Sequence, residues 1–402
     1  MKTVFLISTG AIISGKTAGA RRMIKIARSI AAGGASVYLC SLAEITNQQI
    51  QRKEIFPCVF SLINSTEKSL KQKSPIQFCK IVNGFMTGDK SETVVYLYPT
   101  TFVFNDFIYL FYFKYLKRYK VFCEINELRT AIAFSSLVPE GFLLKFCYLF
   151  KSIKDYLIFK LNEFQVILYD GIIVISTNLE NYFSRYTKQI SRIPILCDAS
   201  EIVPDNLPGN FDGKVFKLCF AGYIKMDKEG FDLLFEVLFK LNQTSTVDLF
   251  LYGILEEKDK AKLGILTARY GLTGNIHYLG NLEPDKLKDE FVKYHLLILP
   301  RPVNKRTRYG FSTKLSEYLV SGLPVLVTDV SDNALYIKDG FNGFIIPPGS
   351  VEVMTNKLKE IMRHYNNQAH IIVENSYKLV REELDYNLFS QKYIDFLFSN
   401  NL

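Results

Sequence analysis

Short apolar runs alternate with segments whose apolar residues recur every three or four positions, and that alternation sets the architecture. Residues 4–8 (VFLIS) read as a buried strand. A glycine-rich turn follows, then a helical pattern over 20–32 and a second strand over 36–40. Strand, helix and strand in that order open a parallel α/β sheet. Residues 93–98, 120–124 and 171–176 continue it as further buried strands.

The turn-rich, proline-spaced stretch 193–213 (IPILCDASEIVPDNLPGNFDG) is the best linker. After it the alternation restarts. Strands are expected at 215–221, 247–252, 276–279, 296–300 and 324–328, and helices at 230–241, 256–270, 284–294, 313–321 and 351–365. The predicted fold class is therefore α/β, with two Rossmann-like, doubly wound lobes facing across a cleft. Ligands of such sheets bind at the carboxyl ends of the strands.

Charge is distributed unevenly over this plan. Residues 1–205 hold 25 basic and 16 acidic side chains, and 206–402 hold 24 of each, so the whole excess of +9 lies in the first half. That half either meets something anionic or stays soluble by its charge. Seven scattered cysteines, with no Cys-x-x-Cys pair, argue against a disulfide framework or a zinc site and for a reducing compartment. The first residues lack the cleavage region of a signal peptide, and no uncharged stretch reaches the roughly 18 residues of a membrane span.

The densest chemistry lies in LPRPVNKRTRYGFSTKLSEYLVSGLPVLVT (299–328). An apolar strand ends at Pro300, a basic loop carries Arg301, Lys305, Arg306 and Arg308, and a helix begins near Ser312 or Thr313. Amide groups at a helix start, with the helix dipole, form an anion site, and Gly310 would allow close backbone approach beside Phe311. Lys314 has the wrong sign for that dipole unless an anion sits there. Glu317, one turn on, is placed to accept hydrogen bonds from ribose hydroxyls. The plainer reading is a solvated helix with a Lys–Glu pair and a charged loop.

This stretch resembles the C-terminal lobe of retaining nucleotide-sugar glycosyltransferases of family 4, which have the GT-B fold. Glu317 falls on the family's second glutamate, and Ser321-Gly322-Leu323-Pro324-Val325 matches the segment's ending. Upstream, Phe220-Ala221-Gly222-Tyr223, Lys228 and Gly230-Phe231-Asp232 are similar to the family's Gly-Arg-Leu…Lys-Gly-x-Asp turn. Tyr252-Gly253, the run 277–280 and the run 339–344 fit in order and spacing. The resemblance covers about residues 170–365. Two positions depart from it: Tyr309 stands at the family's first glutamate and Tyr223 at its arginine. The resemblance implies that Lys228, Lys314 and Glu317 serve catalysis, and that Gly222, Arg301, Gly310, Phe311, Ser312 and Thr313 bind the donor. It also implies that no metal or cofactor is needed.

In the first half, Gly10 through Gly15, Lys16 and Thr17 spell a P-loop pattern between a strand and a helix, and residues 166–170 could supply a magnesium-holding strand ending in Asp170. That would make a nucleotide hydrolase or kinase. The same segment also resembles the GT-B opening, with Gly15 and Lys16 in a glycine loop facing the acceptor. All four histidines lie in the second half, so Glu124 or Glu127 is the candidate for the polar role near the acceptor hydroxyl. Alternatively, Glu124 pairs with Arg129 to hold its loop.

Two segments, 101–120 and 141–161, mix aromatic, aliphatic and basic residues. They read either as helices buried on the first sheet or as a surface that docks on anionic lipid headgroups. The expected organisation is an acceptor-side domain over 1–205, a nucleotide-sugar domain over 206–375, and a tail over 376–402 that crosses back. The expected function is retaining transfer of a hexose from a UDP- or GDP-linked donor to a glycan or lipid-diphosphate-linked acceptor, in bacterial surface polysaccharide synthesis. Expected settings are the cytoplasm or the inner face of the cell membrane, without nucleic acid. A non-catalytic, membrane-associated GT-B protein is the remaining alternative.

Overall fold

The computed structural model describes residues 1–13, 17–45, 50–64, 74–98, 103–133, 141–202 and 207–399. The chain divides into two units, Met1–Leu196 with Tyr386–Leu402, and Cys197–Asp385.

Among the described residues the first unit is built on eight strands: β1 (Thr3–Ser8), β2 (Ser36–Ser41), β3 (Ile50–Phe56), β4 (Val59–Asn64), β5 (Thr93–Leu97), β6 (Lys120–Ile125), β7 (Gly171–Val174) and β8 (Ile190–Arg192). Their order is β3-β4-β2-β1-β5-β6-β7-β8, parallel throughout except for the antiparallel β3–β4 pair. That hairpin breaks the expected strand–helix alternation. Its β3 strand is mostly exposed and polar (IQRKEIF), so it carries no buried-strand signature. The helices are α1 (Ala18–Ala32), α2 (Pro75–Gly84), α3 (Val103–Leu110), α4 (Phe142–Phe164) and α5 (Thr177–Phe183). Met23, Ile26, Ala27 and Ile30 form the buried stripe of α1 over Val4, Leu6, Val37 and Tyr96.

The second unit holds β9 (Val215–Ala221), β10 (Thr246–Tyr252), β11 (Ile276–Tyr278), β12 (Leu296–Leu299), β13 (Val325–Thr328) and β14 (Phe344–Ile346). All are parallel, in the order β11-β10-β9-β12-β13-β14. Between them run α6 (Phe231–Leu241), α7 (Glu257–Arg269), α8 (Pro284–Phe291), α9 (Lys305–Tyr309), α10 (Thr313–Tyr318) and α11 (Asn333–Tyr336), with α12 (Val351–Leu379) behind. Helix α12 runs well past the expected end at 365. The polar run Asn366-Asn367-Gln368 faces outward or half-buried, while Tyr365, Ala369, Ile372 and Val373 keep the buried stripe going. The end of the expected linker is anchored rather than loose: Phe211 packs on Phe216 and its backbone bonds to the Asn366 amide.

The tail rejoins the first unit at Tyr386 rather than at 376. There α13 (Ser390–Phe398) lies on α1, close enough that a Cβ at Gly33 would sit 2.4 Å from Ile394.

Candidate active site

In the second sheet the chain leaves β9 toward β10 on one side and later returns through β12 on the other. The carboxyl ends of β9 and β12 therefore flank the topological switch point, where ligands of open α/β sheets bind. Gly222 follows β9, Arg301 lies just beyond β12, and α10 with Lys314 comes after the short α9.

Two glycines bring these segments into contact. Gly222 has φ +130°, and a Cβ on it would lie 2.4 Å from Cε of Lys314. Gly230 has φ +79°, and its Cβ would lie 1.9 Å from the Pro300 carbonyl oxygen. Only a residue without a side chain fits at either place. The turn 226–230 is thereby pressed onto the end of β12, and it carries Glu229 inward.

Glu229 is the hub of the site, although in the sequence it stands only as one more acid in a polar turn. It is 1% exposed. Arg301 donates to it in a fork, Nε to Oε2 at 2.9 Å and Nη2 to Oε1 at 3.0 Å. Lys314 donates from Nζ to Oε1 at 2.7 Å and to the Tyr223 carbonyl at 3.3 Å. The same ammonium stands 4.8 Å from the ring centre of Phe220. Burial alone would raise the Glu229 carboxyl, but Arg301 and Lys314 overcome it and hold the group well below the usual carboxylate range. Burial lowers the Lys314 ammonium, with Arg301 adding to the effect and Glu229 opposing it. Two cations against one carboxylate leave a positive balance at the switch point. Burying such a cluster is costly, and perturbed buried charge of this kind marks functional sites.

Helix α10 is held in place by Tyr318, whose hydroxyl accepts from the Ala221 amide at 2.7 Å and donates to the Ala221 carbonyl at 2.9 Å. Its start carries no side-chain cap, and among the described residues the buried Ser312 hydroxyl finds no hydrogen-bond partner. Thr313 and Glu317 are half-buried at successive turns. Phe311 is buried and stacks on Tyr336, with centroids 5.6 Å apart. Lys228 is half-buried beside Glu229 and contributes to its field.

Several expectations change. Gly310 has φ −92° and ψ 152°, an extended geometry open to any residue, so the backbone there does not require glycine. The basic segment is not all loop: residues 305–309 form α9, whose amides are capped by Asn304. Tyr223, at the family's arginine position, donates its hydroxyl to Glu256.

In the first unit, Glu124 is not an accessible base. Its carboxylate is fully buried, accepts from Arg22 Nε at 2.8 Å and Nη2 at 2.5 Å, and takes a hydrogen bond from Tyr96. Arg22 in turn donates to the carbonyls of Pro194 and Ile193, so the pair ties α1 to β6 and to the chain beyond β8. Arg129, the partner expected for Glu124, bonds Asp106 and Asn162 instead. Glu127 is half-buried. Gly15 and Lys16 lie outside the described residues, so the P-loop itself is not seen. Thr17 caps α1 by accepting from the Ala20 amide. Residues 165–168 form a 3₁₀ turn rather than a strand, and Asp170 accepts from the Val121 amide and pairs with Lys114. Asp170 therefore sits where β6 and β7 begin, at the opposite end of the sheet from a phosphate loop. Among the described residues no group of three or more His, Cys, Asp or Glu is placed to hold a metal ion.

Residues 208–379 match the family model described as glycosyl transferases group 1. The matched segment lies within the second unit and spans less than half of the chain. A sucrose synthase of Melioribacter roseus is 28% identical over 160 residues, which are 38% of this chain and 19% of that protein. The chain thus matches about a fifth of that relative's length. Three solved structures are similar over nearly their full lengths. They are a sucrose-phosphate synthase of Thermosynechococcus elongatus (TM-score 0.70, 12% identity, 98% and 97% of the two chains), a glycosyltransferase of Rickettsia africae (0.65, 14%, 99% of each) and Anabaena HepE in complex with UDP-glucose (0.65, 14%, 99% and 100%). At these identities the likeness establishes the fold, which is GT-B, with two Rossmann-like units. The cation pair around Glu229 lies inside the matched segment.

Proposed function

We propose that this GT-B protein is a retaining, metal-independent glycosyltransferase that moves a hexose from a UDP- or GDP-linked donor to a hydroxyl of a glycan or lipid-linked acceptor. The observation that carries the reading is the buried Arg301–Glu229–Lys314 cluster at the switch point of the segment that matches the group 1 model. In the reaction the bond from the anomeric carbon to the diphosphate breaks and a bond to the acceptor oxygen forms. Negative charge collects on the leaving diphosphate. Arg301, Lys314 and Lys228 supply positive charge already organised and partly shielded from water, and such stabilisation is the largest catalytic term in many enzymes. The amides from Gly310 to Thr313 and the Ser312 hydroxyl are donors of the same kind, and Glu317 takes the ribose hydroxyls. Gly222, having no side chain, lets Lys314 lie against the backbone beyond β9. A UDP-glucose complex of the similar HepE favours a UDP-linked donor. The setting we infer is the cytoplasmic face of a bacterial membrane during surface polysaccharide synthesis, with Glu127, Gly15 and Lys16 on the acceptor side.

A thermal-shift panel of UDP, GDP, ADP and ATP, with and without magnesium, tests this. UDP or GDP should raise the melting temperature without magnesium, and Glu317→Ala should shrink that rise. Stabilisation only by ATP with magnesium, abolished in Lys16→Ala, would instead establish the nucleotide-hydrolase alternative.

A further inference from the structure

Helix α4 is inside out. Of its residues with described side chains, the two that are buried are polar, Ser152 and Glu163. Glu163 is held by Lys160, Tyr182 and Thr130, so the helix is anchored to its unit through a carboxylate. Tyr148 and Phe159 are half-buried on the same side, but a longer row of apolar residues points the other way. Phe146, Phe150, Ile153, Leu157, Leu161 and Phe164 recur at spacings of three and four, and each is between 43% and 70% exposed. That is one continuous stripe along a helix of 23 residues.

The neighbouring α3 and the π-helical stretch Phe111–Leu116 that follows it repeat the arrangement. Phe104, Phe107, Phe111 and Tyr115 are 48–72% exposed and follow the same three-and-four spacing. Phe107 stacks on Phe111 with centroids 6.3 Å apart, and Phe111 meets Tyr115 at 5.8 Å. Helices α3 and α4 are in contact with each other.

We propose that α3 and α4 form an interfacial docking face for a bilayer carrying anionic lipids, with α4 lying along the surface. This deepens the membrane setting proposed above, on which it rests, and it names the surface that would carry it. A protein partner fits less well, because cores of protein interfaces are depleted of lysine. Here Lys145, Lys151 and Lys154 stand exposed among the aromatics, as on helices that lie in the headgroup region. The chain's excess charge also falls in this half, and no helix among the described residues is long and apolar enough to cross a membrane. The aromatic and aliphatic side chains would enter the acyl boundary while the lysines stay with the phosphates.

The test is flotation of the full-length protein with vesicles of phosphatidylcholine alone or with phosphatidylglycerol added, at low and high salt. The protein should float with the anionic vesicles and only weakly with the neutral ones, and salt should reduce binding without abolishing it. The double variant Phe150→Ser/Leu157→Ser should bind at least about tenfold less to both vesicle types. Lys151→Ser/Lys154→Ser should lose about 25-fold on anionic vesicles, roughly fivefold per lysine, and keep its weak binding to neutral ones. All four side chains are exposed, so both variants should melt like the parent. Wild-type protein that stays below both vesicle types overturns the proposal, as does flotation that neither variant changes. A stable dimer that Phe150→Ser/Leu157→Ser converts to monomer also overturns it, because the face is then a protein interface. UDP and GDP thermal shifts on the same preparations report separately on the transfer reading.

Discussion

Replacing Glu229 by glutamine keeps the shape of the hub and removes its charge. Arg301 and Lys314 are then left facing each other across a site from which water is largely excluded, with an amide oxygen as their shared acceptor. Removing one member of a buried ion pair costs on the order of 3–5 kcal/mol, because the remaining charge is uncompensated. Lys314, already lowered by burial and by Arg301, can relieve part of this by giving up its proton, so the lower end, about 3 kcal/mol, is expected. For a domain of this size that is a fall of roughly 6–12 °C in the melting temperature of the second unit. A diphosphate replaces the lost anion, so UDP or GDP should stabilise Glu229→Gln by more degrees than it stabilises the parent. The pH dependence follows from the same charge. The folded carboxyl is held below its ordinary value of 4.5, so its contribution is complete above that pH and is lost as pH falls toward the folded value. Parent and variant should therefore differ at neutral pH and converge on acidification. Differential scanning fluorimetry over pH, with and without nucleotide, reads all three effects. A variant that melts with the parent at neutral pH, or gains no extra stabilisation from the nucleotide, would refute the assignment of Glu229 as the anion that holds the two cations.

Lys314→Ala should lower turnover about 10²- to 10³-fold, the loss seen when one preorganised donor is removed from a transition-state site, while the protein still folds. A coupled assay for released nucleoside diphosphate measures it. Glu124→Gln should destabilise the first unit by about 3 kcal/mol, because Arg22 loses its buried partner, and should leave UDP binding intact. Chemical denaturation alongside nucleotide titration separates this from a catalytic role. His295, whose Nδ1 accepts from the Lys217 amide at 2.9 Å, is lowered from 6.5 to about 4 by burial, with Lys217 adding to the effect. Its folded form resists the proton that the unfolded chain takes up. Stability should therefore fall by roughly 1 kcal/mol per pH unit as pH drops from 6.5 toward 4, a slope that His295→Asn should flatten.

Much of the plan could be read from the chain alone. Strand 296–299 is a continuous apolar run and 215–221 is apolar apart from Lys217, both bounded by turns, and burial on both faces leaves such runs few other options. The switch-point loops were also legible, because Gly222 and Arg301 follow closely on those strands and Lys314 lies in the first turn of a helix after the basic segment. What could not be read is which charges meet. Glu229 looks like one more acid in a polar turn until Gly230 packs on Pro300 and carries it to cations 72 and 85 residues away. Glu124 looked reactive at the end of a strand, and only the packing of α1 shows that Arg22 already holds it. The orientation of α4 was open for the same reason. Periodicity describes a helix's faces, but only its neighbours decide which face is turned inward. Local pattern is set by residues close in sequence, whereas ion pairing and burial depend on contacts between distant segments, and those exist only once the sheets have formed.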